Sequence, residues 1–252
     1  MKLIVVINNK GGVGKTTSVV NLASCFSSLG KKTLLVDLDP SASASVHLGF
    51  EKTKIQFPTL CDYLIDRDRP LENFVSCYSE NYFVLPSEFL LAEYYQEIQA
   101  EEDVEFLIKR EDIENNYDIV LFDCPPNTGS LALNALSIAD FVLIPVQAQY
   151  SSVAGLNITL DVIDKVNRHF NKNLKILGFF ATFYDRRIKV TERVVNILNE
   201  RFGDKVLKST IGVNSKLIEA FNEQETIYQY ASSSKGAEDY KRLAIELLNK
   251  IN

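Results

Sequence analysis

The sequence predicts an α/β fold, a mostly parallel twisted sheet flanked by helices on both faces, and three observations carry that expectation. Short β-branched and apolar runs alternate with longer segments of helical period, the order expected when parallel strands are joined by helical crossovers. The runs are apolar throughout instead of alternating with polar residues, as strands covered on both faces must be. The 252 residues contain no internal repeat, low-complexity tract or Pro/Gly/Ser-rich linker, so a single domain over 1–252 with one substantial core is expected.

In chain order, the first run is LIVVI at 3–7. After it Val19, Val20, Leu22, Ala23, Phe26 and Leu29 recur at helical spacing, and Gly30 stands where a helix C-cap belongs. TLLVDLD at 33–39 completes a strand, loop, helix, strand unit. The stretch 51–80 is the least regular and reads as surface helices and loops inserted between strands. Further strands are expected at YFVLP (82–86), DIVLFD (118–123), FVLIPV (141–146) and KILGFFAT (175–182). Tyr240, Leu243, Ala244, Leu247, Leu248 and Ile251 give the last helix a core-facing stripe.

Composition narrows the function. With 46% hydrophobic and 24% charged residues the chain is that of a globular protein, and no apolar run reaches the about 18 residues that a bilayer span needs. The N-terminus enters a strand-like run without signal-peptide architecture, so a cytoplasmic location is expected. Cys25, Cys61, Cys77 and Cys124 are far apart and form no CxxC pair, which argues against a zinc site or a disulfide framework; Cys124 reads as a packing residue. His47 and His169 are isolated and are assigned no chemistry. A formal net charge of −6 disfavours indiscriminate adhesion to nucleic acid, although a local basic face remains compatible with it.

Residues 8–17 read NNKGGVGKTT. Gly14-Lys15-Thr16 ends a glycine-rich turn that follows a strand and opens a helix, the context of a P-loop. Glycines let successive backbone N–H groups converge on an anion, and the helix N-terminus adds partial positive charge. Lys15 is placed to reach the β- and γ-phosphates of a nucleotide, and Thr16 to offer a hydroxyl to Mg²⁺. Two features stand out: Asn9 lies five residues before Gly14, where the general motif has glycine, and a second lysine, Lys10, precedes the turn.

KGGVGKTT resembles the deviant Walker A box of the ParA/MinD family of dimeric ATPases. The resemblance continues through VDLDPSASAS (36–45), DIVLFDCPPNTGSLALNAL (118–136) and ADFVLIPVQAQYSSVAGL (139–156), and so covers nearly the whole chain. It implies ATP and Mg²⁺ as cofactors, bound by Lys10, Gly11, Gly12, Val13, Gly14, Lys15, Thr16 and Thr17. It also implies that Lys10 crosses a dimer interface to the phosphates on the other subunit, so that nucleotide state sets assembly state. Lys10, Lys15 and Asp39 are then the catalytic residues, with Asp39 positioning the attacking water. Thr16, Asp37, Asp39 and Asp123 form the metal set, with Asp37 nearer the metal and Asp123 holding it through water as a Walker B aspartate. In-line placement of water matters more in such a reaction than a strong base. The DPSAS segment departs from the family's DPQGN at Ser41, Ala42 and Ser43.

The family's adenine motifs are matched by TIGVN (210–214) and FYDRR (183–187). Asn214 is the expected base contact, while Gly212 and Val213 replace proline and arginine, which points to recognition by backbone groups. Gln149 stands where relatives often carry glutamate. Arg186, Lys189 and Arg193 fall at i, i+3 and i+7, one face of a helix if the segment after Asp185 is helical, with Val194, Val195, Leu198 and Phe202 on its apolar side. Arg187 and Lys216 extend the patch, and in the ParA branch basic residues near these positions bind DNA without sequence preference.

Only Lys250-Ile251-Asn252 follows Asn249, so neither a MinD-like membrane helix nor membrane binding is expected. No helix-turn-helix domain is expected before the first strand, so operator-specific repression is not implied. The function expected is that of a weak, Mg²⁺-dependent, partner-stimulated ATPase that forms an ATP-sandwich homodimer and binds DNA nonspecifically. With a ParB-like centromere-binding protein it would drive plasmid or chromosome partitioning, associating with the nucleoid in the ATP state. A ParA-like ATPase that positions protein cargo or a cell-envelope apparatus, and a nucleotide-gated scaffold, are the alternatives.

Overall fold

A computed structural model describes residues 1–50, 57–94, 108–113, 116–127 and 129–251. Residues 51–56 of the irregular stretch, Thr128 of the 118–136 motif and Asn252 lie outside the described residues. The strands are β1 (Lys2–Val6), β2 (Thr33–Asp37), β3 (Ser76–Ser79), β4 (Tyr82–Leu85), β5 (Ile119–Asp123), β6 (Phe141–Gln147) and β7 (Lys175–Thr182), in one sheet of order β3-β4-β2-β5-β1-β6-β7. Every pair is parallel except β3–β4.

The six expected runs are all strands, displaced by one or two residues at some ends. β3 corrects the reading of 51–80 as helices and loops only. That stretch does hold α3 (Leu60–Ile65) and a 3-10 turn (Leu71–Phe74), but Ser76–Ser79 closes the sheet edge as a hairpin with β4, turning through Asn81 at φ +59°. A polar tetrapeptide, Ser-Cys-Tyr-Ser, carries no apolar run to betray it.

Period-two alternation in β1 feeds two cores. Leu3, Val5 and Ile7 pack on one face with α5 (Ser130–Ile138), α6 (Tyr150–His169) and α7 (Lys189–Phe202). Ile4 and Val6 pack on the other with α1 (Lys15–Ser28) and α10 (Lys235–Ile251). Shorter helices are α2 (Ser43–His47), α4 (Arg110–Ile113), α8 (Ser215–Asn222) and α9 (Ile227–Ala231). In α1 the expected stripe is buried apart from Leu29, which is 38% exposed. The helix ends as its glycine requires: Gly30 takes φ +77°, its N–H reaches Ser27 O, and the Lys31 N–H reaches back to Phe26 O, a Schellman pairing.

Because β1, β2 and β5 are parallel neighbours, their C-terminal ends come out side by side, and Asp37 sits opposite Asp123 in the ladder. Open α/β sheets bind ligands at this edge. Among the described residues no helix is long and apolar enough to cross a membrane.

Candidate nucleotide-binding site

Between β1 and α1 the chain turns through Gly12 at φ +70° and Gly14 at φ +86°, a left-handed conformation that side-chain-bearing residues rarely adopt. Gly14 is the N-cap of α1 and no side chain caps the helix, so its first amides face the loop's interior. Val13 is fully buried, and its carbonyl accepts a hydrogen bond from Thr182 Oγ1 (2.8 Å), which ties the loop to the end of β7. Asn8, also buried, donates to Pro145 O (2.8 Å) and accepts from the Lys10 N–H (2.9 Å), fixing the other side of the turn.

The turn walls a cavity of 330 Å³ whose lining includes Gly11, Gly12, Gly14, Lys15, Thr16 and Thr17, with Asp39 opposite. Ser43, Pro126 and Phe183, from three of the motifs quoted above, complete the wall. The Lys15 ammonium donates to Asn8 O (3.1 Å) and Lys10 O (3.3 Å). Burial lowers its pKa, against the pull of Asp123 and Asp39. A desolvated cation with carbonyl partners is well placed to exchange them for phosphate oxygens.

Asp123 ends β5 fully buried, and neither carboxyl oxygen has a hydrogen-bond partner. Burial, reinforced by neighbouring Asp37, pushes its pKa well above the usual carboxylate range. The Thr16 hydroxyl favours the anion, but no hydrogen bond of ordinary geometry closes onto either oxygen. An orphaned buried carboxylate beside a threonine hydroxyl and a phosphate-sized cavity fits a hard dication such as Mg²⁺, whose remaining ligands are waters and substrate phosphates.

Asp37, expected nearer the metal, has both carboxyl oxygens engaged by the protein. One oxygen accepts the Asp39 N–H (3.1 Å); the other accepts the Ser45 N–H (2.9 Å) and hydroxyl (2.7 Å). Burial still raises its pKa to about 6, opposed by the Ser45 bonds. Asp37 therefore anchors α2, whereas Asp39 is only partly buried and faces the cavity. Its Oδ1 accepts the Ser41 N–H (2.9 Å) and shapes the turn that Ala42 completes at φ +52°. The Lys10 ammonium donates to Ser151 and Ser152 Oγ, both at 3.0 Å. Cys124 is buried, as expected of a packing residue. Gln149 takes the N-cap position of α6 without capping it through its side chain.

A second cavity of 360 Å³ shares Gly14, Thr17 and Phe183 with the first. Its wall is mostly carbon, from Ile211, Val213, Leu217, Ile218 and Phe221, and Asn214 supplies the amide. The Asn214 Oδ1 is taken by the Lys216 N–H (2.9 Å) as the cap of α8. Ile211 and Val213 belong to the expected adenine segment, whereas Leu217, Ile218 and Phe221 were not anticipated; Ile218, 67% exposed on a short helix, looks like a surface anomaly until the cavity explains it.

The basic patch is partly rearranged. Ile188 N–H bonds Asp185 O and α7 begins at Lys189, so Arg186 and Arg187 sit on a turn and only Lys189 and Arg193 share the helix. Arg186 is thus not on the predicted helical face. Arg187 is clamped by Asp185, with Nε–Oδ1 3.0 Å and NH2–Oδ2 2.7 Å, which holds the Asp185 carboxyl down to about 2. Lys216 pairs with Glu219 (2.6 Å) and lies over the Tyr230 ring.

Comparison with known proteins agrees with this geometry. Residues 1–176 match a family model described as an AAA domain. The chain is 38% identical to the sporulation initiation inhibitor protein Soj of Bacillus subtilis, covering 98% of both chains. It is 37% identical to the chromosome-partitioning ATPase Soj of Treponema pallidum, over 98% of this chain and 97% of the relative. Among solved structures, cobyrinic acid a,c-diamide synthase of Mycobacterium smegmatis, with a bound ATP analogue and magnesium, superposes with a TM-score of 0.86 at 29% identity, covering 100% of this chain and 96% of that one. With its P-loop, its β5 aspartate and relatives matched along nearly its full length, the chain belongs to the ParA/MinD family of P-loop ATPases.

Proposed function

We propose that this chain is a ParA-type partitioning ATPase, active in the cytoplasm as an ATP-dependent homodimer that binds DNA nonspecifically on the nucleoid. Hydrolysis is stimulated by a ParB-like centromere-binding protein. The observation that carries the reading is the Lys10 ammonium: Lys10 immediately precedes the cavity-lining Gly11, and its ammonium is held by two serine hydroxyls and, among the described residues, by no carboxylate. Such a cation is available to a neighbour's terminal phosphate, and it favours association only while that phosphate is present. Full-length similarity to Soj proteins named for chromosome partitioning supports the biological role.

In the chemical step Lys15 and the amides around Gly12 and Gly14 hold the β- and γ-phosphates, and Thr16 with Asp123 would hold Mg²⁺, which would supply charge neutralisation at the phosphate oxygens. Asp39 orients water in line with the γ-phosphorus, which costs no reorganisation because its Asx turn already fixes it. The base occupies the carbon-lined cavity, where the Asn214 amide NH₂ is the donor left over from capping.

ATP-dependent retention on random-sequence duplex DNA tests the proposal. The parent protein is retained only with ATP, Arg186→Glu/Lys189→Glu is not, and turnover rises when the centromere-binding partner is added. Retention that ignores the nucleotide would remove the DNA-partitioning reading.

A further inference from the structure

Gly236 is the second residue of α10 and is buried. It does not take a positive φ, so its backbone conformation would accept any side chain, and alanine would serve a helix better than glycine does. The reason for glycine lies in its neighbours. A Cβ at this position would stand 3.1 Å from Leu217 Cγ, 3.3 Å from Leu217 Cδ2 and 3.2 Å from Asn214 Nδ2. Carbon atoms in comfortable contact are about 3.5–4.0 Å apart, so something would have to give.

Both neighbours belong to the wall of the base cavity. The Asn214 Oδ1 is pinned by the Lys216 N–H as the cap of α8, which fixes the amide at one end, while its NH₂ bonds no described residue. One turn further along the same face of α10, Asp239 accepts the Gly212 N–H (2.9 Å). Next to it Tyr240 lines the base cavity, with its hydroxyl 3.1 Å from Ser18 Oγ on α1. A side chain at 236 would therefore displace Leu217, the Asn214 amide or α10 itself. The first two move the base wall directly, and the third drags it through Asp239 and Tyr240. Every escape ends at the cavity.

We infer that Gly236 is a positioning residue for nucleotide binding: its missing side chain lets α10 close on α8 and aims the Asn214 amide into the base cavity. The inference rests on the base-cavity reading given above and adds a residue to which that reading gave no part. A hydrogen bond from an amide weakens steeply as its angle falls away from linear, so a displacement of a few tenths of an ångström at Asn214 is felt by the base. Neither Asn214 nor Leu217 lines the phosphate cavity, so the effect falls on the base and spares the phosphates. The last helix, which the sequence marks only by its core-facing stripe, thus takes part in forming the nucleotide site.

The test compares binding of a non-hydrolysable ATP analogue with that of inorganic tripolyphosphate, both with Mg²⁺, since tripolyphosphate has no base. In Gly236→Ala the analogue should bind about 3- to 10-fold more weakly, as for the loss of one neutral hydrogen bond, while tripolyphosphate binds as it does to the parent. Hydrolysis should show the same split, with KM for ATP raised and kcat at saturation kept. Asn214→Ser retains an oxygen to cap α8 but removes the amide donor; it should weaken the analogue to a similar degree, and adding Gly236→Ala to it should cost little more. Full additivity of the two substitutions would overturn action through Asn214. Analogue affinity equal to the parent's in Gly236→Ala, with Asn214→Ser still weakened, would overturn the positioning role and leave the base cavity intact. Undiminished analogue binding in both variants would overturn the base-cavity reading as well. Equal weakening of analogue and tripolyphosphate in Gly236→Ala would assign the glycine to packing of the whole domain and overturn its part in base recognition.

Discussion

Asp123→Asn should stabilise the empty protein and disable it. The carboxyl group is fully buried at the end of β5 with no hydrogen-bond partner on either oxygen, and Asp37 in the adjoining strand makes its charge costlier. Leaving a buried polar group unsatisfied costs about 1–3 kcal/mol, more when it is ionised. The asparagine amide keeps the shape, carries no charge and can donate toward the Asp37 carboxylate. In a chain of this length each kcal/mol moves the thermal midpoint by about 2–4 °C, so the variant should melt about 2–12 °C above the parent without ligand. With Mg²⁺ and ATP the gap should close by about 2.7 kcal/mol, which a ligand at a hundred times its Kd adds to the parent only. Four melting curves, each protein with and without Mg-ATP, decide it. A variant that melts below the parent when empty, or that gains as much from Mg-ATP, would refute the assignment of Asp123 as a strained site waiting for a cation.

Lys10→Ala should bind ATP nearly as the parent does yet remain monomeric with a non-hydrolysable analogue; size-exclusion chromatography that still shows a dimer would exclude a trans role for this lysine. Ser45→Ala removes the 2.7 Å bond to Asp37 and the 2.8 Å acceptor of the Ser87 N–H, and should cost about 2–5 kcal/mol by denaturant titration. Ser41→Ala, losing only an exposed bond to Ser43, should change stability by about 0.5 kcal/mol or less. Burial holds the His47 pKa at about 4, against an ordinary 6.5, so the unfolded chain binds the extra proton in that interval. Stability from this group is complete above pH 6.5 and is lost as pH falls toward 4, by at most about 3 kcal/mol. In His47→Phe the stability profile should be flatter by that amount between those limits, and identical profiles would show the imidazole to be hydrated.

The central strands and the phosphate loop were legible because their physics is local. A strand buried on both faces writes itself as an apolar run, and a loop that must turn through Gly12 and Gly14 and then open a helix writes itself as a motif. What stayed hidden depends on distant partners. β3 is a strand only because β4 lies beside it. The base cavity draws on α8, whose Ile218 and Phe221 show no purpose until the 211–214 segment folds against them. Asp37 and Asp39 look alike in sequence, yet Ser45 captures one and leaves the other facing the cavity. Arg186 shares a face with Lys189 and Arg193 only if the segment after Asp185 is helical, and the Asp185–Ile188 hydrogen bond instead makes a turn there and starts α7 at Lys189.

The same contacts place a constraint on how the site can switch. α2 is only five residues long, too short to be stable from its own backbone, so its position is set by what grips its ends. At one end Asp37 holds Ser45, whose hydroxyl also accepts the Ser87 N–H. At the other, His47 Nε2 bonds Glu225 O at 3.0 Å, and its ring meets Phe221 edge-on with centroids 5.0 Å apart. Phe221 lines the base cavity, and Asp37 is two residues from the cavity-facing Asp39. Any displacement of α2 toward a γ-phosphate must therefore strain the Asp37 clamp, the base wall or both. A nucleotide that fills both cavities is the ligand able to compensate both costs at once, whereas inorganic phosphate or a nucleoside reaches only one of them.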